Sequence, residues 1–119
     1  MPRTFIDMVN EARGRIREID APGTAAAIGS GGVTIVDVRE PDEFAQGHIQ
    51  QAVNIPRGVA EMGIGRLVPD TSARIICYCA GGGRSALVAD NLRQMGYQNV
   101  ESMAGGFQAW VSAGQKVVR

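Results

Sequence analysis

The sequence is nearly devoid of the side chains that build metal centres and disulfide scaffolds, with two cysteines and one histidine in 119 residues. Cys77 and Cys79 stand two apart, and on a strand such residues share a face about 6.6 to 6.8 Å apart, at the limit of disulfide reach. They make a poor structural bridge. Two thiols and His48 also fall short of the four ligands a structural zinc site takes, so no metal is expected. Net charge is absent too. Twelve basic and twelve acidic side chains cancel, which removes the electrostatic reason for a nucleic acid or an anionic membrane as partner. No apolar run is long enough to span a bilayer. Asp7 and Glu11 fall where a signal peptide needs an unbroken apolar segment, so the expected location is the cytoplasm. With no long linker and no internal repeat, one domain is expected: residues 1–20 as a helical extension and 21–119 as the body.

What the chain does have is glycine, sixteen in all, and three of them follow a cysteine in Cys79-Ala80-Gly81-Gly82-Gly83-Arg84-Ser85. The run Arg74-Ile75-Ile76-Cys77-Tyr78 before it is apolar and β-branched, bounded by Pro69 to Ser72, and reads as a buried strand. Ala86, Leu87, Ala89, Leu92 and Met95 behind it keep a helical spacing that stops at Gly96. A glycine loop between a strand and a helix N-terminus turns N–H groups inward and forms an anion cradle. N–H donors, the helix end and Arg84 would all favour the thiolate of Cys79. A buried, inert cysteine followed by a tight turn would share this pattern.

Other stretches narrow the choice. Val36-Asp37-Val38-Arg39-Glu40 with Glu43-Phe44, Gly47-His48-Ile49 and Val53-Asn54-Ile55-Pro56 precede the loop. Met95-Gly96-Tyr97, Asn99-Val100 and Gly105-Gly106-Phe107-Gln108-Ala109-Trp110 follow it. Together with Cys79 to Arg84 they resemble the rhodanese (sulfurtransferase) family in order and separation. The resemblance implies a three-layer α/β domain, a mainly parallel sheet with helices on both faces, and a site at its C-terminal edge. It also implies a catalytic Cys79, a persulfide-binding loop from Ala80 through Gly81, Gly82, Gly83 and Arg84 to Ser85, and a supporting role for Asp37 and Arg39. No cofactor is needed. The implied partners are a small anionic sulfur donor and a thiol acceptor, either a small molecule or a thioredoxin-like protein. Ala80 and Gly81 are neutral where some relatives carry basic side chains, leaving Arg84 as the loop's one charge and its candidate donor-anion ligand.

The remaining segments agree with an alternating α/β order. Thr4 to Arg17 is expected to form an amphipathic helix capped by Thr4, with Phe5, Met8, Val9, Ala12 and Ile16 on one side and Arg3, Asn10, Arg13 and Arg17 largely on the other. It lies outside the resemblance and is read as a cover for the core edge. Arg17 to Asp20 and Val33 to Val38 read as strands, and Pro22 to Ile28 as a short helix closed by Gly29 to Gly32. Asp42 and Glu43 suit a helix first turn as dipole partners. His48 reads as a structural, hydrogen-bonded histidine, with Gln50-Gln51 replacing a proline and glycine common in the family. Arg57 to Val68 is expected to be a broken helix lining the cleft mouth, with Arg57 and Arg66 either attracting an anionic substrate or standing as solvated surface charges. Phe107 and Trp110, on a closing helix from Gly105 to Ala113, read as core anchors. Three further readings are a persulfide carrier without turnover, a cysteine phosphatase, and an oxidant sensor in which Cys77 resolves a sulfenic acid at Cys79. The phosphatase loop encloses five residues between cysteine and arginine, whereas Cys79 and Arg84 enclose four.

Overall fold

The computed structural model describes residues 1–119. In chain order its elements are α1 (Phe5–Arg13), β1 (Arg17–Ile19), α2 (Ala21–Ser30), β2 (Val33–Asp37), α3 (Pro41–Gln46), β3 (Val53–Asn54), α4 (Ala60–Leu67), β4 (Arg74–Tyr78), α5 (Gly83–Gln94), β5 (Val100–Met103) and α6 (Gly106–Ser112). A single turn of 3-10 helix, Arg57–Val59, leads into α4. The five strands form one sheet in the order β1-β5-β4-β2-β3, with every neighbouring pair parallel. The central pair, β2 and β4, is apolar on both faces because both faces are covered, and Ile35 sits beside Ile76 and Asp37 beside Tyr78.

Side chains alternate between two cores, one on each side of the sheet. Val36, Val38, Ile75, Cys77 and Cys79 point to the side of α4 and α5, where Ile64, Val88 and Leu92 meet them. Ile35, Ile76, Tyr78 and Met103 point to the side of α2 and α6, packing with Ala27 and Trp110. This is the three-layer arrangement the sequence implies. Because Cys79 continues the β4 alternation, its thiol emerges on the α5 side at the C-terminal sheet edge.

Three segments differ from expectation. Helix α1 ends at Arg13, with Gly14 as its C-cap, and not at Arg17. The chain must turn there to lay Arg17–Ile19 along β5, and Gly14, a poor helix interior residue, is where it stops. Ile16 therefore packs on the core from outside the helix. Helix α2 runs on through Gly29 and Ser30 and ends at Gly31. Arg57 to Val68 divides into the 3-10 turn and a continuous α4, with Ile64 buried inward and Met62 outward.

At its start α1 is held by a reciprocal cap, Asp7 N–H to Thr4 Oγ1 at 3.1 Å and Thr4 N–H to the Asp7 carboxylate at 2.9 Å. Val9 and Ala12 are buried against the body. Just beyond the helix, Arg15 donates from Nε and Nη2 to Asp90 of α5, the Nη2 bond at 2.8 Å. Helix α1 is thus fastened to the helix that follows the glycine loop.

Candidate active site

The chain leaves β4 at Tyr78 and turns at once, which places Cys79 on the floor of the loop. The left-handed backbone of Gly82, with φ of +100°, directs its N–H at Sγ over 3.1 Å. Ser85 N–H, in the first turn of α5, approaches Sγ at 3.4 Å. Two N–H groups at a helix N-terminus thus converge on one sulfur. Beneath them, Ser85 Oγ lies 3.5 Å from Sγ and 2.8 Å from Ser102 Oγ, and all three residues are buried. A hydroxyl pair of this kind accepts from a thiol or donates to a thiolate by rotating.

The loop is braced from behind by α6. Phe107 N–H donates to Cys79 O at 2.7 Å and Gln108 N–H to Ala80 O at 3.0 Å. These bonds hold the Cys79 and Ala80 carbonyls on the α6 side, away from the sulfur that the Gly82 and Ser85 N–H groups approach. The close approach requires Gly106, where a Cβ would fall 2.5 Å from Cys79 O and 2.6 Å from Ala80 O.

Arg84 is not a free cation. Its Nη1 and Nη2 donate to the two carboxylate oxygens of Glu43 at 2.8 and 3.1 Å. That two-point bond pulls the Glu43 carboxyl down to about 2, with the Glu40 N–H helping. The same contact raises Arg84 above its usual range. Glu43 therefore caps the α3 backbone at Glu40 N–H, as a first-turn carboxylate should, and also occupies the arginine expected to hold the donor anion.

Asp37 and Arg39 form a buried pair on the opposite side of the sheet from Sγ, with Nη2 to Oδ2 at 2.7 Å and a second bond from Nη2 to Gly47 O at 2.7 Å. Burial opposes the Arg39 charge, but the Asp37 carboxylate outweighs it and the guanidinium sits above its ordinary range. The guanidinium lies 4.4 Å from the Phe107 ring centre, so the pair reaches Cys79 through the residue whose N–H holds the Cys79 carbonyl. Phe107 is thereby the seat of a cation and not only a core anchor. His48 is remote from the thiol: Nδ1 bonds Phe44 O at 2.9 Å and the ring stacks on Phe44 at 3.6 Å. The turn through Gln50 and Gln51 is closed by Ala52 N–H to Ile49 O at 2.9 Å. Cys77 is fully buried, and burial followed by the neighbouring Cys79 pushes its thiol up to about 12.

Above the sulfur lies an open cleft of about 260 Å³. The loop lines one wall with Cys79, Gly81, Gly83 and Arg84, and α1 lines the other with Phe5, Ile6, Val9 and Arg13. Phe5 packs so closely on the loop that a Cβ at Gly83 would meet its ring at 3.1 Å. Arg57 reaches this wall and lies over the Phe5 ring at 5.9 Å, whereas Arg66 lines a separate groove with Val59 and Met62. The helix read as a cover for the core edge is thus also a wall of the cleft, and Arg13, placed by periodicity on its polar side, faces in. Ser102 and Gly106 were missed as well. A serine at an inward position of a strand was the available signal for the first, whereas a glycine at a helix start gave none for the second.

Residues 21–113 match the family model of the rhodanese-like domain. The chain belongs to the rhodanese family. All seven residues from Cys79 to Ser85, with Asp37 and Arg39, lie inside the matched span of this rhodanese, and α1 lies before it. The chain is 31% identical over 104 residues to a sulfurtransferase of Allochromatium vinosum, covering 87% of this chain and 95% of the relative. It is 37% identical over 70 residues to the thiosulfate sulfurtransferase PspE of Escherichia coli, covering 59% of this chain and 67% of that protein. It spans between 60% and 67% of the length of several curated relatives it matches. Among solved structures, a protein of unknown function from Rhodopseudomonas palustris, described as a possible tyrosine phosphatase, superposes with a TM-score of 0.91. That protein is 31% identical, with 99% of this chain and 96% of the other covered. Sulfur transfer is the activity for which the named relatives speak.

Proposed function

We propose that this rhodanese carries sulfane sulfur on Cys79 between a donor such as thiosulfate or a persulfide and a thiol-type acceptor. The observation that carries the reading is the pair of N–H groups, from Gly82 and Ser85, aimed at a single Sγ on the floor of an open cleft. In the first half-reaction the Cys79 thiolate attacks the outer sulfur of thiosulfate, a new S–S bond forms, and sulfite leaves with the electron pair of the broken bond. The cysteine persulfide anion inherits the negative charge, and the remaining N–H groups of Ala80 to Ser85 are the donors available to it. In the second half, a thiolate or cyanide attacks the terminal sulfur, and the Cys79 thiolate is the leaving group. Every atom is accounted for by donor, acceptor and one cysteine.

The small loop supports sulfur over phosphate. Four residues separate Cys79 from Arg84, and both guanidinium ends of Arg84 are held by Glu43, so the arginine that would grip a phosphoryl group is engaged elsewhere. The oxidant-sensor reading is weakened by the burial of Cys77, whose thiol does not ionise in the neutral range. Neutral Ala80 and Gly81 favour a persulfide over thiosulfate as the better donor. The acceptor is a small thiol or a thioredoxin-like protein. Steady-state transfer from thiosulfate and from glutathione persulfide to cyanide and to dithiothreitol tests the proposal. Parallel double-reciprocal lines, the pattern of a covalent sulfur intermediate, are expected. A single turnover without recycling would assign the protein as a carrier, and hydrolysis of a chromogenic phosphate ester without sulfur transfer would overturn the proposal.

A further inference from the structure

A dianionic donor approaching a thiolate meets like charge, and both terminal nitrogens of the loop's one cation, Arg84, are already held by Glu43. The second cation lining the cleft is Arg13, from the helix that precedes the span shared with the family. Its Nη2 lies 3.6 Å from the Cβ position of Gly82, the residue whose N–H holds Sγ. Arg13 is itself paired, its Nε lying 3.4 Å from the Glu18 carboxylate. Its two terminal nitrogens make no hydrogen bond within the chain, whereas those of Arg84 are both bonded to Glu43. Phe5 and Ile6 beside it are half exposed and apolar, so they give the cleft wall shape without competing for an anion.

We propose that Arg13 is the anion-binding and donor-selecting residue of this site, a sulfonate-type or carboxylate-type subsite supplied by α1 at the mouth of the cleft. The inference deepens the sulfur-transfer reading and rests on it for the identity of the donor, but the subsite itself can be tested without sulfur chemistry. A guanidinium presents two parallel N–H groups to two oxygens of an oxyanion. The outer sulfur of a thiosulfate whose sulfonate end rests on Arg13 would face the loop and Cys79. An uncharged donor would gain nothing from this residue, so Arg13 sets preference among donors and leaves the sulfur-accepting machinery to the loop.

The test compares alkylation of Cys79 by iodoacetate and iodoacetamide, which share size and leaving group but differ in charge, with intact mass as readout. In Arg13→Met, which keeps an apolar stem in the cleft wall, the iodoacetate-to-iodoacetamide rate ratio is expected to fall about 3- to 10-fold, the effect of one nearby charge in partly solvated surroundings. Arg13→Lys is expected to restore much of the ratio. The iodoacetamide rate itself reports any loosening of the fold, since a damaged loop would react faster with both reagents. In the sulfur-transfer assay the same Met variant is expected to raise KM for thiosulfate several-fold with little of the loss on kcat. An unchanged alkylation ratio in a protein that still forms the persulfide overturns the Arg13 subsite alone. A lowered ratio in a protein that never gains sulfur sustains the subsite and removes the sulfur-transfer reading.

Discussion

Glu43 and Arg84 stand 41 residues apart and meet through two parallel N–H···O bonds at the edge of the cleft, 2.8 and 3.1 Å long. The pair fixes the first helical turn of α5 against α3, and so ties the two halves of the chain together where the loop ends. It also has a pH signature. Glu43 is held at about 2 against an ordinary value of 4.5, and a carboxyl depressed on folding stabilises fully above its unfolded value and loses that contribution as pH falls through its folded one. Both side chains are about a third exposed, so screening limits the contribution to ~1 kcal/mol. Urea midpoints at pH 7 and pH 2.5 should fall further in the parent than in Glu43→Gln. Equal falls in the two proteins would mean the pair does not contribute.

Asp37 and Arg39 form a pair of a different kind, since both are buried and Arg39 also holds Gly47 O. Removing one partner leaves an uncompensated charge in the interior, and such changes cost about 3–5 kcal/mol. Asp37→Ala should therefore lose about that much in denaturant unfolding, with no direct effect on the sulfur. A loss below about 1 kcal/mol would mean the pair behaves like an exposed one.

The loop depends on a residue that carries no side chain. A Cβ at Gly106 would overlap the carbonyl oxygens of Cys79 and Ala80 at 2.5 and 2.6 Å, at a φ of +58°. Gly106→Ala must shift either α6 or the loop, at a strain of about 1–3 kcal/mol. Displacing the nucleophile by about 1 Å costs on the order of 100-fold in rate. The persulfide-forming rate of this variant should fall by that order while its circular dichroism stays native. A rate within three-fold of the parent would show that α6 does not position the loop.

Cys77 is expected to be silent. Its side chain is fully buried among Val36, Ile75 and Leu92, and its thiol is pushed up to about 12. A neutral alkylating reagent at pH 8 should label Cys77 only after unfolding, and Cys77→Ala should transfer sulfur at the parental rate. Loss of a thiol-reversible oxidised form in that variant would instead give Cys77 a resolving role.

Much of this was legible in the sequence because local rules and the global fold agree. The runs at Val33 to Asp37 and Arg74 to Tyr78 have the continuous apolar character of covered parallel strands, and the cysteine followed by glycines lies where strand gives way to helix. What was not legible depends on residues far apart in the chain. Nothing in the first turn of α3 announces that Glu43 will reach Arg84, because a first-turn carboxylate is already explained by the helix dipole. The inward face of Arg13 escaped for a related reason. Periodicity assigns faces relative to one core, and α1 serves two surroundings, the body through Val9 and Ala12 and the cleft through Phe5, Ile6 and Arg13. Gly106 was hidden because a glycine at a helix start has ordinary local reasons to be there.

The persulfide proposed on Cys79 can be weighed by intact-mass spectrometry of the parent and Cys79→Ser. Each protein is incubated with thiosulfate or a polysulfide and then with dithiothreitol. The parent is expected to gain the mass of one sulfur atom and lose it to the thiol, while Cys79→Ser gains none. An unchanged parent under both donors, or an equal gain in the serine variant, would contradict the proposal.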